Sequence, residues 1–277
     1  MKVLGAAAPL ALAALLLAQA PSPPAPREMG ALAGPPVPKE RAPAGAGERL
    51  TMRVTYARLL AGRAWVSVDA QEHGDQALLR LTLIVKSEGF FAWLFRYKVD
   101  DYTVALWDPV SGCSHGIEKH LREGRAVRDQ RVEIDPKTGV ARVEDRKVKQ
   151  KVFHLGPCPL DVFSAFFAAR QRGLAKDGPL TVPVFDNGKL YRLAFKLLGH
   201  EVLDLPPPLG RRVLTQVVEP LIPKGSGLFA QEGRLVIWVT ADERRIPVRL
   251  RSKVAIGSVS ADLEEYTPPF VVPVAAP

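Results

Sequence analysis

The residues of this chain that could do chemistry are few and scattered. There are five histidines. His115 and His120 stand five apart on a stretch that reads as a strand, where successive side chains alternate, so they face opposite sides. His73, His154 and His200 are isolated in sequence. A metal centre needs His, Cys, Asp or Glu to converge, and no such spacing occurs. Cys113 shares a strand face with His115, but no second pair accompanies them. Ser226 lies in Gly225-Ser226-Gly227, which is not the G-x-S-x-G nucleophile elbow. Gly225 to Ala230 fits G-x-G-x-x-A, yet it leads towards a strand instead of opening a helix, so no dinucleotide site follows. Asp100-Asp101 and Glu264-Glu265 are adjacent carboxylates, and strand neighbours point apart, so neither reads as an acid–base dyad. No catalytic residue, metal ligand or cofactor site is assigned. Cys113 and Cys158 are the two cysteines and allow one pairing. An oxidising compartment would permit that disulfide, and the sequence leaves open whether the two meet.

The elements around these residues are mostly strands. Leu50, Met52, Val54 and Tyr56 alternate with polar residues; after a turn read at Ala61-Gly62, Ala64, Val66 and Val68 alternate again. Gln76 to Lys86 is a third strand. Gly89 to Phe95 then packs four aromatics, Phe90, Phe91, Trp93 and Phe95, into a stretch with no clean period. It reads as a core plug or as the wall of an apolar ligand site. Tyr97 to Trp107 is a strand with Val99, Tyr102, Val104 and Leu106 as its inward candidates. Asp108 to Gly112 and Asp135 to Gly139 share the turn form D-P-x-[ST]-G. Between them Ser114 to Leu121 and Arg125 to Ile134 form a charged hairpin, and Val140 to Lys151 continues as strand.

A single helix is predicted over Pro159 to Arg172. Proline suits its first turn, Asp161 the positive end, and Gly173 ends it. Leu160, Phe163 and Phe167 line one stripe and Val162, Phe166 and Ala169 flank it, so the helix should be buried across or inside a curved sheet. Val182 to Tyr191 is a hairpin around Asn187-Gly188. Arg212 to Leu221 is a strand, and Gly233 to Tyr266 is a three-stranded meander. In its middle strand Ile246, Val248 and Leu250 face one way and Arg249 and Arg251 the other. About 10–12 strands joined by hairpins predict an all-β, mainly antiparallel fold: one strongly curved sheet, a barrel or half-barrel, with the long helix packed on it.

Place is read from the N-terminus. Lys2, an apolar run and Ala18-Gln19-Ala20 read as a signal peptide over 1–20, the alternative being an uncleaved anchor. Pro21 leaves the exact cut open. Residues 21–48 are a Pro/Ala-rich tether without periodicity, 49–266 the folded domain and 267–277 a loose tail. The net charge is +9, scattered along strands and without a recognition motif, which disfavours nucleic acid as a partner.

Taken together, GERLTMRVTYARLLAGRAWVSV, the EKHLREGR hairpin, the PLDVFSAFFAAR helix, VPVFDNGKLYRL and the C-terminal meander resemble an exported bacterial family, domain of unknown function 3108. The resemblance runs over about residues 48 to 266. It implies a periplasmic home in a Gram-negative bacterium and carries over no catalytic residue. It also implies a sheet similar in outline to periplasmic half-barrels that carry lipoproteins or lipids, which is an analogy of fold. The expected function is a monomeric, non-enzymatic carrier of a hydrophobic small molecule or lipid, held by Phe90, Phe91, Trp93, Phe95, Phe163 and Phe167. The alternative is an envelope interaction module that docks on a protein or an anionic membrane surface through Arg249, Arg251 and Lys253.

Overall fold

A computed structural model describes residues 44–74, 76–88, 98–146, 150–173, 178–222, 234–253 and 258–270. The signal peptide, most of the tether, the aromatic segment with Phe90, Phe91, Trp93 and Phe95, Ser226 and residues 271–277 lie outside them. Strands β1 (Arg49–Tyr56), β2 (Leu59–His73), β3 (Gln76–Ser87) and β4 (Asp100–Trp107) are followed by β5 (Ser114–Glu123), β6 (Ala126–Asp135), β7 (Val140–Asp145) and β8 (Lys151–His154). Helix α1 (Val162–Arg172) comes next. Then come β9 (Leu180–Asp186), β10 (Lys189–Leu203), β11 (Val213–Leu221), β12 (Leu235–Thr240), β13 (Pro247–Lys253) and β14 (Ser258–Thr267).

All fourteen strands form one antiparallel sheet in the order β8-β7-β6-β5-β4-β3-β2-β1-β14-β13-β12-β11-β10-β9. Every neighbour is a sequence neighbour except β1 and β14, so the two ends of the domain zip together in mid-sheet. The sheet curls until its edges, β8 and β9, approach each other. There the rings of Phe153 and Phe185 meet at a tilt, 5.1 Å apart. Leu160 bridges Val184 in parallel, its N–H donating to Pro183 O at 3.1 Å and its carbonyl accepting from Phe185 N–H at 2.8 Å. The segment between β8 and α1 thus fills the seam, and the fold is a barrel-like sheet closed by one short bridge and side-chain packing.

Several expectations change. The described residues hold fourteen strands, more than the 10–12 read from the sequence, partly because Val140 to Lys151 is not one strand. β7 ends at Asp145, and Lys151 opens β8. The first hairpin turns at Ala57-Arg58, both with positive φ, and Ala61 and Gly62 lie inside β2. Gly62 marks a close approach instead of a turn: a Cβ there would sit 2.1 Å from Lys86 O. Of the predicted inward candidates here, Val99 and Val104 are buried, but Tyr102 and Leu106 are not, because the inward row of β4 runs through the residues between them. Asp101, Thr103, Ala105 and Trp107 are buried on its inner face, while Tyr102 and Leu106 are partly exposed. Trp107 meets Phe167 of the helix, and that large ring outweighs the aliphatic pattern. Residues 44–48 are not tether: Ala44 and Glu48 are buried, and Phe270 N–H donates to Ala46 O.

The helix starts three residues later than predicted, because Asp161 is its N-cap. Asp161 Oδ1 accepts from the N–H groups of Phe163 and Ser164 at 2.8 and 2.9 Å. Oδ2 accepts from the hydroxyls of Ser114 at 2.6 Å and Ser164 at 2.5 Å. Burial pushes this carboxyl up and the four donors pull it back. Eight helical residues, from Val162 to Arg170, are buried, so the helix lies in the barrel interior. Next to the cap, Cys113 and Cys158 are disulfide-bonded with Cα atoms 4.8 Å apart. The bond joins the start of β5 to the run into the helix and so holds Ser114 against Asp161. Replacing both cysteines by alanine opens a cross-link of sequence separation 45. It is expected to lower unfolding free energy by about 3 kcal/mol, read as a fall in the urea midpoint that a reducing agent reproduces in the parent protein.

Candidate functional site

Inside the barrel, next to the helix, lies a cavity of about 190 Å³. Strand register builds one wall. Leu50 lies opposite Val66 and Met52 opposite Ala64; Val66 in turn faces Leu83, and Ala64 faces Val85. All six line the cavity, because period-2 alternation sends every second residue of β1, β2 and β3 inward. A second row crosses four strands, from Val218 to Ile237, Leu250 and Ala261. The helix supplies Phe163, Phe166 and Phe167. Phe163 and Phe167 meet edge-on at 5.4 Å, and Phe166 meets Phe195 of β10 edge-on at 5.5 Å. Val66, Leu83 and Leu250 face inward yet are only partly buried, so solvent reaches the cavity past them.

Among the described residues that line the cavity, two carry charge, Arg170 and Arg245. Arg170 makes a two-pronged ion pair with Glu48, both bonds at 2.9 Å, and its guanidinium lies 5.4 Å from the Phe167 ring. The arrangement is sealed, with Arg170 7% and Glu48 0% exposed at the side chain. The Tyr266 hydroxyl donates to the same carboxylate at 3.3 Å, and burial next to that charge pushes the phenol up. Arg245 Nη1 donates to the carbonyl oxygens of Arg170 and Glu243 at 2.8 and 3.1 Å. Its backbone sits at φ 44° in the turn between β12 and β13.

A second part of the interior is polar. Lys119 of β5 and Asp186 of β9 form a buried ion pair at 2.6 Å that reaches across the seam. The Tyr191 hydroxyl is buried without a hydrogen-bond partner, and desolvation with the nearby Asp186 charge holds its proton firmly. Asp101 Oδ1 accepts from the Arg122 N–H at 2.8 Å. Its Oδ2 and Glu123 Oε1 are buried and have no hydrogen-bond partner among the described residues, while Arg128 donates to Glu123 Oε2 at 3.1 Å. Burial raises the Asp101 carboxyl from 3.8 to about 7, the Arg122 amide opposes the rise and Glu123 adds to it. Asp100 points the other way, to Lys86 at 3.4 Å.

The residues singled out from the sequence fall in three places. Phe163 and Phe167 line the cavity. Arg249 and Arg251 lie over the Trp238 indole at 6.0 and 5.4 Å; Arg249 also pairs with Asp262, and Lys253 is exposed at the end of β13. Two histidines meet, His115 edge-on with His73 at 5.7 Å, and His120 sits apart between Glu118 and Asp129 at 2.9 and 3.0 Å. No group of three or more His, Cys, Asp or Glu able to hold a metal occurs among the described residues. Sequence reasoning did not mark Arg170, Arg245, Asp101 or Glu123 as interior groups. The alternation of β5 carried a signal for Glu123, which shares the inner face with Ile117, Lys119 and Leu121; Arg245, in a turn, carried none.

Comparison with known proteins adds to this geometry. The family model described as "Protein of unknown function (DUF3108)" matches residues 51–264. A solved structure of similar fold is the beta-barrel-like protein of domain of unknown function DUF1849 from Brucella abortus. It has a TM-score of 0.55 and 10% identity, over 81% of this chain and 98% of that one. At that identity the likeness is one of fold. No curated protein matches.

Proposed function

This chain belongs to the protein family of unknown function DUF3108, and from that premise we propose that it is an exported, non-enzymatic binder or carrier of an apolar or amphipathic envelope molecule. The observation that carries this reading is the cavity between α1 and the inner faces of β1, β2, β3, β12 and β13. It is lined almost wholly by aliphatic and aromatic side chains and open on one side. Its volume of about 190 Å³ exceeds the ~150 Å³ of an engineered apolar cavity that takes up benzene. A packed core has no reason to keep such a space, since voids cost dispersion contacts. The leader-like residues 1–20 and the disulfide between Cys113 and Cys158 favour export to an oxidising compartment such as the periplasm.

The test is native mass spectrometry of protein purified without detergent from its own envelope. A bound mass that leaves on denaturation is expected; a bare protein that also ignores apolar probes would remove the reading. Val66→Phe provides the matching variant, because the partly buried Val66 points into open space. It is expected to weaken binding of the neutral fluorophore phenylnaphthylamine by about tenfold, equivalent to ~1.4 kcal/mol, with the melting temperature nearly unchanged. The docking alternative through Arg249, Arg251 and Lys253 has no comparable support, since Asp262 and Trp238 already engage the first two.

A further inference from the structure

On the premise that the cavity binds a ligand, its wall says which chemistry the buried part of that ligand has. Among the described residues that line it, all but Arg170 and Arg245 carry hydrocarbon or thioether side chains. The two arginines are engaged elsewhere. Arg170 gives Nη1 and Nη2 to the Glu48 carboxylate, both at 2.9 Å. Its Nη2 and Nε also reach the carbonyl oxygens of Arg244 and Arg245 at 3.2 and 3.1 Å. Arg245 Nη1 donates to the carbonyls of Arg170 and Glu243 at 2.8 and 3.1 Å. These bonds tie the end of α1 to the β12–β13 turn. The surface of the cavity is almost wholly apolar, so what the two arginines offer it is their alkyl stems.

The backbone of the wall is engaged as well. β1, β2, β3, β12, β13 and β14 each pair on both sides, and the ladders take up their N–H and C=O groups. A hydrogen-bonding group that enters this space leaves water and gains no partner from the described wall, which is costly. Selection here works by exclusion, since the wall rewards burial of apolar surface and offers no polar contact to recognise. Size narrows the class further. A cavity of about 190 Å³ is close to the ~150 Å³ that takes up benzene, which suits one ring or one alkyl chain and not two chains side by side.

We propose that the cavity takes one uncharged hydrocarbon group, an alkyl chain or a single aromatic ring, and that no hydrogen-bonding atom goes in with it. This goes beyond the binder reading, which rests on the same cavity, because it says which part of the ligand is recognised. Where the group belongs to an amphiphile, the head stays outside the opening past the partly buried Val66, Leu83 and Leu250 and adds little to affinity.

The test sets toluene against phenol, which are alike in shape and exchange one methyl for one hydroxyl, by calorimetry on the delipidated, disulfide-bonded protein. Toluene is expected to bind about thirtyfold more tightly, the fold-change for one hydroxyl buried without a partner. Phenol bound as tightly as toluene would overturn the proposal and leave the binder reading standing, since a polar group would then have found a partner inside. Val66→Phe, which fills the space, is expected to lower toluene affinity about tenfold. Unchanged toluene affinity in the folded variant would also overturn the proposal, because the site would lie elsewhere. A second pair identifies the source of the group. Octyl glucoside, kept below its micelle concentration, binding as tightly as 1-octanol marks the tail of a larger amphiphile. Binding of 1-octanol alone marks a small molecule, with no room for a larger head at the opening. If no probe binds, the carrier reading itself fails and takes this proposal with it.

Discussion

Arg170→Ala is expected to destabilise the fold by about 3–5 kcal/mol, the range for removing one partner of a buried ion pair. The reason is what remains. Glu48 is 0% exposed, and without Arg170 its charge keeps, among the described residues, one hydroxyl donor, Tyr266 at 3.3 Å. The variant also removes hydrogen bonds to the carbonyls of Arg244 and Arg245, which tie the helix to the β12–β13 turn, and the contact with Phe167. Urea unfolding checks the size of the loss. The double variant Glu48→Gln with Arg170→Met is expected to recover most of it, because a neutral pair leaves no uncompensated charge. A double variant as unstable as Arg170→Ala would mean that packing of the guanidinium, and not its pairing, holds the helix.

Asp101→Asn is expected to act in the opposite direction, and only above mildly acidic pH. The Asp101 carboxyl is raised from 3.8 to about 7, mainly by burial. A raised acid binds its proton more tightly in the folded state than in the unfolded one. Its ionisation therefore costs stability progressively as pH climbs from about 4 to about 7, and the cost stays constant above that. The shift corresponds to a penalty approaching ~4 kcal/mol at pH 8. Asparagine keeps an oxygen to accept the Arg122 N–H, which Asp101 takes at 2.8 Å, and removes the charge near Glu123. Thermal unfolding across this range checks the claim: the variant should match the parent near pH 4 and exceed it at pH 8. A constant difference at all pH values would show that Asp101 is not the titrating group.

Strand alternation marked Leu50, Met52, Ala64 and Val66 as one face, and they are one wall of the cavity. The apolar wrap of Phe163, Phe166 and Phe167 marked a buried helix, and it is buried. Alternation failed on β4, where aliphatic residues occupy both phases. There the choice fell to Trp107, whose place against Phe167 depends on a helix more than fifty residues later in the chain.

The sequence by itself determined the antiparallel all-β class, the interior helix and its stopping point at Gly173. These follow from local periods, turn residues and end signals, which act over a few residues. The tertiary structure alone decided that β1 zips to β14, that the seam closes beside Phe153 and Phe185, and that Cys113 meets Cys158. It alone also decided that Glu48, read as the end of a tether, is a buried counter-ion 122 residues from Arg170. Charge and burial at such sites depend on groups far apart in sequence, and no local pattern encodes which distant side chain will neutralise which.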